Sequence, residues 1–203
     1  MDFDSENLRE SILEASELII LEGGYVSFDL NVVATTLDIP AQTIIEVFPT
    51  KEALAEAVLE RYALNDMALF QRLSRQAEIK TDDPLDQVLL FIGYFNDFLD
   101  DLEDPIPGCI FASYTYSRKH FGPETREFID KSLDAWSKLF EDKFDALIRH
   151  RTPRIAITAR ELAEMITTTI EGGFIMTNAK NDPKWTQRQA QQFQKFVALV
   201  FAE

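Results

Sequence analysis

With 203 residues, 46 % of them hydrophobic and sixteen of them Phe, the chain can bury a sizeable aromatic core, either as one large domain or as a small head plus a larger body. Its net charge of −15 and pI near 4.5 argue against general affinity for nucleic acid or anionic membrane. No basic stretch followed by an apolar one opens the chain, no run of about 18 apolar residues occurs, and the lone Cys109 cannot close an internal disulfide. Together these features predict a cytoplasmic protein with no membrane partner.

Apolar residues recur at spacings of three and four throughout, and no segment alternates with period two, so the expected fold class is all-α. From Leu8, the series Ile12, Ala15, Ile19 predicts a first helix that stops near Gly23-Gly24. Asp29 can cap a short second helix through Thr36, and Pro40 can open a third. Thr50 caps a long fourth helix to about Gln76, and Asp83-Pro84 starts a fifth with Val88, Phe91, Ile92, Phe95 and Leu99 as its stripe. The break at Pro105-Ile106-Pro107-Gly108 precedes a shorter helix, Cys109 to Lys119. Gly122-Pro123-Glu124 opens a strongly amphipathic helix carrying Ile129, Leu133, Trp136, Phe140, Phe144 and Leu147. A loop at Arg151–Arg154 leads to a helix from about Ala156 to Ala179. Asp182-Pro183 then caps the last, which buries Phe193, Phe196, Val197, Val200 and Phe201. That makes about nine helices.

The opening stretch is acidic. Residues 1–55 hold eleven acids (Asp2, Asp4, Glu6, Glu10, Glu14, Glu17, Glu22, Asp29, Asp38, Glu46 and Glu52) against two bases, Arg9 and Lys51, for a net −9. Spacing places Glu6, Glu10, Glu14 and Glu17 on one face of the first helix.

Several landmarks carry a family resemblance: Ile12-Leu13, Ala15-Ser16, Gly24-Tyr25, Val33-Ala34, Phe48 and Thr50-Lys51-Glu52-Ala53-Leu54. Further along stand Gly108-Cys109-Ile110 and Ile170-Glu171-Gly172-Gly173. In this order the chain resembles the tetracycline-repressor (TetR) family over nearly its whole length. The resemblance implies a three-helix, helix-turn-helix head at residues 1–50 and a ligand-binding and dimerisation body at residues 51–203. It also implies a homodimer formed through the last two helices, operator DNA as partner, and a small apolar or aromatic ligand.

Departures cluster where family members touch DNA. The recognition segment reads Pro40, Gln42, Ile44, Ile45, Glu46, Val47, Phe48; Ile45 stands where a phosphate-bonding tyrosine is usual, and Asp38 replaces the turn glycine. The candidate DNA contacts that remain are Asn31, Gln42, Thr43 and Lys51. Phosphate neutralisation supplies most non-specific affinity, so a head of this charge is expected to have weakened or lost DNA binding, unless its acids lie on the outer face of the first helix, away from DNA and screened beyond roughly 10 Å at 0.1 M salt. The alternative function is an interaction protein on the same fold, whose acidic head docks a basic protein or another regulator.

For the body, the resemblance places a cavity among Tyr62, Phe91, Tyr94, Phe95, Phe98, Tyr114, Trp136, Phe140, Thr169 and Phe174; aromatics at helical spacing also read as plain core. Thr169 is either a cavity donor or bonded back to its own helix. Gly172-Gly173 in a helix suits close approach of another helix, consistent with a dimer interface. Cys109, at a helix start, is a possible redox site or a buried thiol. His120 and His150 lack metal-ligand spacing, and no phosphate loop, nucleophile elbow or zinc motif occurs, so no catalytic residue, metal or cofactor is expected.

Overall fold

The computed structural model describes residues 5–102, 106 and 108–202. Asp2, Asp4 and the two prolines of the anticipated break, Pro105 and Pro107, lie outside them. Among the described residues the chain is all-α, with nine α-helices, one short 3-10 turn and no strand. It packs as two compact units, Met1–Asp66 with Gly108–Ile129 and Met67–Pro107 with Asp130–Glu203.

In the first unit, α1 (Ser5–Ser27) buries Ile12, Leu13, Ala15, Ser16, Ile20, Leu21 and Tyr25. The expected stop at Gly23-Gly24 is a kink: Gly24 sits at φ 74°, which glycine tolerates, and one more turn carries Tyr25 inward. α2 (Leu30–Leu37) is capped by Asp29, whose carboxylate accepts from the Asn31 backbone. The corner residue Asp38 adopts φ 53°, ψ 44°, with its N–H directed at the Ala34 and Thr35 carbonyls. α3 (Ala41–Val47) follows Pro40 and buries Ile44. α4 (Lys51–Lys80) begins with the Thr50 hydroxyl accepting from Ala53 N at 3.1 Å. It runs a turn past Gln76, because buried Ala77 continues its stripe and no breaker comes before Asp83-Pro84. α6 (Ile110–Tyr116) packs on α1, and a 3-10 turn at Arg118–His120 leads towards α7 (Pro123–His150).

The second unit opens with α5 (Pro84–Asp100). Asp83 accepts from the Leu85 and Asp86 backbones and pairs with Arg151 at 2.6 Å, and the Arg151 hydrogen bond holds its carboxyl below the usual range. α5 lies antiparallel to α9 (Trp185–Val200). Gln194 donates to the Leu89 carbonyl at 2.6 Å, Gln187 donates to that of Asn96 at 3.2 Å, and Lys184 pairs with Asp100. α8 (Ala159–Lys180) starts three residues later than spacing suggests because Thr158 and Glu161 form a capping box. The start of α9 also differs from expectation. Asn181 turns left-handed (φ 49°) and the Asp182 N–H bonds back to Thr177 O. Asp182-Pro183 is thereby absorbed in the exit from α8, and Lys184 is the N-cap. α9 buries Phe193, Val197 and Val200, with Phe201 just beyond, while Phe196 is half-buried. On α7, Ile129, Trp136, Phe140, Phe144 and Leu147 are buried and Leu133 is half-buried.

The two glycines of α8 differ. A Cβ on Gly173 would lie 2.9 Å from Thr186 Cα, so the close approach there is to α9 of the same chain; Gly172 has open space. Gly173→Ala is therefore expected to destabilise the fold by about 1–3 kcal/mol through overpacking. Gly172→Ala should add about 1 kcal/mol in an isolated chain. Paired thermal melts of the two variants check the asymmetry; equal effects would mean that α9 does not approach so closely.

Candidate functional site

The head presents a helix-turn-helix. On α3, Gln42, Ile45 and Glu46 are exposed at spacings of three and one, and Thr43 is half-buried. Asn31 is exposed on α2, but its side-chain amide donates to Asp29 Oδ1 at 2.8 Å, so the N-cap of its own helix engages it. The hydrogen bond from the Asn31 backbone, and after it this side-chain bond, hold the Asp29 carboxyl below its usual range.

Both cations of residues 1–55 lie over aromatic rings. The Arg9 guanidinium is 5.0 Å from the Phe48 centroid. Lys51 Nζ stands 4.5 Å from the Tyr25 ring and 5.6 Å from Phe28. Tyr25 in turn touches Phe121 at 4.5 Å and Tyr114 at 5.8 Å, so the platform under Lys51 is built partly by residues far along the chain.

The acidic face of α1 is not simply solvated. Arg61 of α4 gathers three of its glutamates: Glu10 at 2.6 Å, Glu17 at 2.6 Å and Glu14 at 3.3 Å. Burial raises the Glu17 carboxyl despite the opposing pull of Arg61. The Arg61 guanidinium is also raised, because its glutamates outweigh the cost of burial. Desolvation accounts for the carboxylate moving against its ion pair. Sequence reading missed Arg61 because it lies beyond the acidic segment and meets α1 only through tertiary packing.

The ten candidate cavity residues divide between the units. In the first, Tyr62 packs edge-on to Phe111 at 5.6 Å. Tyr114 is fully buried, stacks on Phe121 at 4.7 Å and donates its hydroxyl to the Ala55 carbonyl at 2.6 Å. Burial pushes its phenol well above the ordinary range.

In the second unit, Phe91, Phe95, Trp136 and Phe140 converge on Phe70, with centroid distances of 6.0, 5.4, 4.6 and 5.8 Å. Phe70 was not among the expected residues, although Tyr62, Phe70, Leu73 and Ala77 repeat at helical spacing on α4. Tyr94 and Phe98 are half-buried and Phe174 is buried. The Thr169 hydroxyl donates back to Met165 O at 2.7 Å, and Thr167 does the same to Ala163 O. Thr169 also lines an open groove of about 570 Å³ with Ala156, Ile157, Glu161, Glu164, Met165 and Thr168. Cys109 is buried at the N-cap of α6, and His120 and His150 are exposed. Among the described residues no group of His, Cys, Asp or Glu could hold a metal, and no helix is long and apolar enough to cross a membrane.

Comparison with known proteins agrees with this architecture. Residues 84–192 match the family model described as transcriptional regulator LmrA/YxaF-like, C-terminal domain. That is more than half of the chain, and the protein belongs to this branch of the TetR family of transcriptional regulators. A TetR-family regulator from Agrobacterium tumefaciens is 23 % identical, covering 95 % of this chain and 98 % of its own, with a TM-score of 0.78. Reduced NemR of E. coli is 17 % identical over 95 % of this chain and 96 % of its own, with a TM-score of 0.71. A regulator from Saccharomonospora viridis, solved with choline, is 19 % identical over the same shares, 95 % and 96 %, with a TM-score of 0.68. At these identities the likeness is one of fold. No curated protein matches by sequence.

Proposed function

We propose that the protein is a homodimeric, ligand-responsive transcriptional regulator whose acidic head, residues 1–50, has reduced affinity for DNA, on a ligand-binding and dimerising body, residues 51–203. The helix-turn-helix carries this reading: α2, the left-handed corner at Asp38, and α3 with Gln42, Ile45 and Glu46 outward. Its DNA contacts are Asn31, Gln42, Thr43 and Lys51, with Lys51 the phosphate ligand. Dimerisation through α8 and α9 is supported by exposed Met165, Ile175 and Leu199. A small apolar or aromatic ligand in the body favours one separation of the two heads over another, and so alters their fit to half-sites about one helical turn apart.

A second reading is favoured by the exposed Val32 and Ile45 on α2 and α3 and by the cations resting on rings. In it, the head docks a basic protein or another regulator and does not reach DNA. Filter binding of genomic fragments at low salt separates the two. Selective retention at nanomolar protein supports the regulator, and Lys51→Ala should then lower the salt slope by about one counterion. If nothing is retained, the double variant Ile45→Tyr, Glu46→His is expected to restore backbone affinity. No recovery would favour the docking protein.

The dimer has its own check. Loss of dimer in Gly172→Ala by sedimentation would support a partner helix there, whereas a more stable, unchanged oligomer would place the interface elsewhere.

A further inference from the structure

The aromatic core of the second unit holds a polar group that its surroundings do not serve. Trp136 is 5 % exposed, and its indole Nε1–H has no hydrogen-bond partner among the described residues. Phe70 meets the indole edge-on at 4.6 Å and Phe140 at 6.1 Å. Phe91 and Phe95 complete the cluster around Phe70. These rings offer only π faces, which are weak acceptors. A buried donor left in that state is unfavourable, and a phenylalanine at this position would lack it.

We propose that Trp136 is the polar anchor of a ligand site in this core. Its indole N–H donates to an acceptor on a flat aromatic ligand that inserts among Phe70, Phe91, Phe95 and Phe140. This rests on the ligand-responsive reading above and adds the chemical class. The ammonium of Lys143 stands 5.5 Å from the Phe91 centroid, but Glu78 meets its charge at 2.9 Å. An uncharged acceptor, a ring nitrogen or a carbonyl, therefore suits the core better than a carboxylate. Insertion displaces ring–ring contacts, so the ligand replaces one stacking partner with another and satisfies the indole as well.

Quinoline and naphthalene, alike in shape and differing in one acceptor, test this on the full chain. Quinoline is expected to bind about fivefold tighter and to move the Trp136 Nε1–H proton resonance downfield, while Trp185 stays put. In Trp136→Phe the preference should vanish, with a melting temperature equal to or above that of the parent. Equal affinities in the parent, binding of neither compound at saturation, an unshifted indole resonance, or a variant that melts clearly lower would each overturn the proposal. A thermal-shift screen of small aromatics keeps the two readings apart. Compounds that stabilise parent and variant equally remove Trp136 but leave ligand response standing, and none stabilising either removes both.

Discussion

Phe70→Ala is expected to lower unfolding free energy by about 3–5 kcal/mol, the usual cost of removing a buried aromatic ring. For a chain of this length that corresponds to a fall of roughly 10 °C in melting temperature. The size follows from position. Phe70 is buried and has Phe91, Phe95, Trp136 and Phe140 around it, contributed by two other helices, so no single neighbour can swing in without breaking its own contacts. Phe70→Leu keeps most of the volume and should lose about half as much. A loss below about 1 kcal/mol in the alanine variant would mean that the surrounding rings collapse freely, and that the cluster is far softer than close packing implies.

Arg61→Met should cost about 2 kcal/mol at neutral pH. The estimate lies between the value of an exposed ion pair, about 0–1 kcal/mol, and the 3–5 kcal/mol of breaking a buried one. Arg61 and Glu17 have side chains 18 % and 23 % exposed, whereas Glu10 and Glu14, at 51 % and 62 %, can turn to water. The pH dependence has a definite sign. Glu17 is raised by burial above its ordinary value of 4.5, so the folded chain takes up that proton more readily than the unfolded one. Its ionised form therefore opposes folding above the raised value, and this penalty is relieved as pH falls through that value toward 4.5. Without Arg61 the carboxyl rises further. The difference in stability between variant and parent is thus expected to be largest well above the raised value and to shrink on acidification, the carboxylates that do not meet Arg61 cancelling in the comparison. Urea titrations of both proteins across that range measure it. A difference that grew towards acid would show that Glu17 is not the group in control.

Much of the architecture could be read from local patterns, because helix caps and breakers act over four residues. Asp29, Thr50 and Asp83-Pro84 mark their helices where expected, and the α7 stripe identifies its buried face. Local rules failed where two signals competed for the same residues. Asp182-Pro183 has the pattern of a helix start, but the left-handed Asn181 before it draws Asp182 into the end of α8. The candidate site was less legible. Nothing near Asn31 in the one-dimensional pattern decides whether its amide faces outward or bonds Asp29, and nothing near Glu10 announces Arg61 at a distance of 51 residues. Residue type alone groups Tyr62 and Tyr114 with Phe91 and Trp136. Packing, which sorts them into separate units, depends on contacts that spacing does not encode.

The unit that contains the helix-turn-helix is assembled from two stretches of chain, Met1–Asp66 and Gly108–Ile129. Recombination that exchanges only the first fifty residues between relatives would hand Glu10, Glu14 and Glu17 to whatever residue the recipient carries in place of Arg61, and Tyr25 to a foreign replacement for Phe121. The helix-turn-helix and the residues that support it are therefore expected to change together. Swapped modules that keep their parental Arg61 and Phe121 are the ones expected to persist.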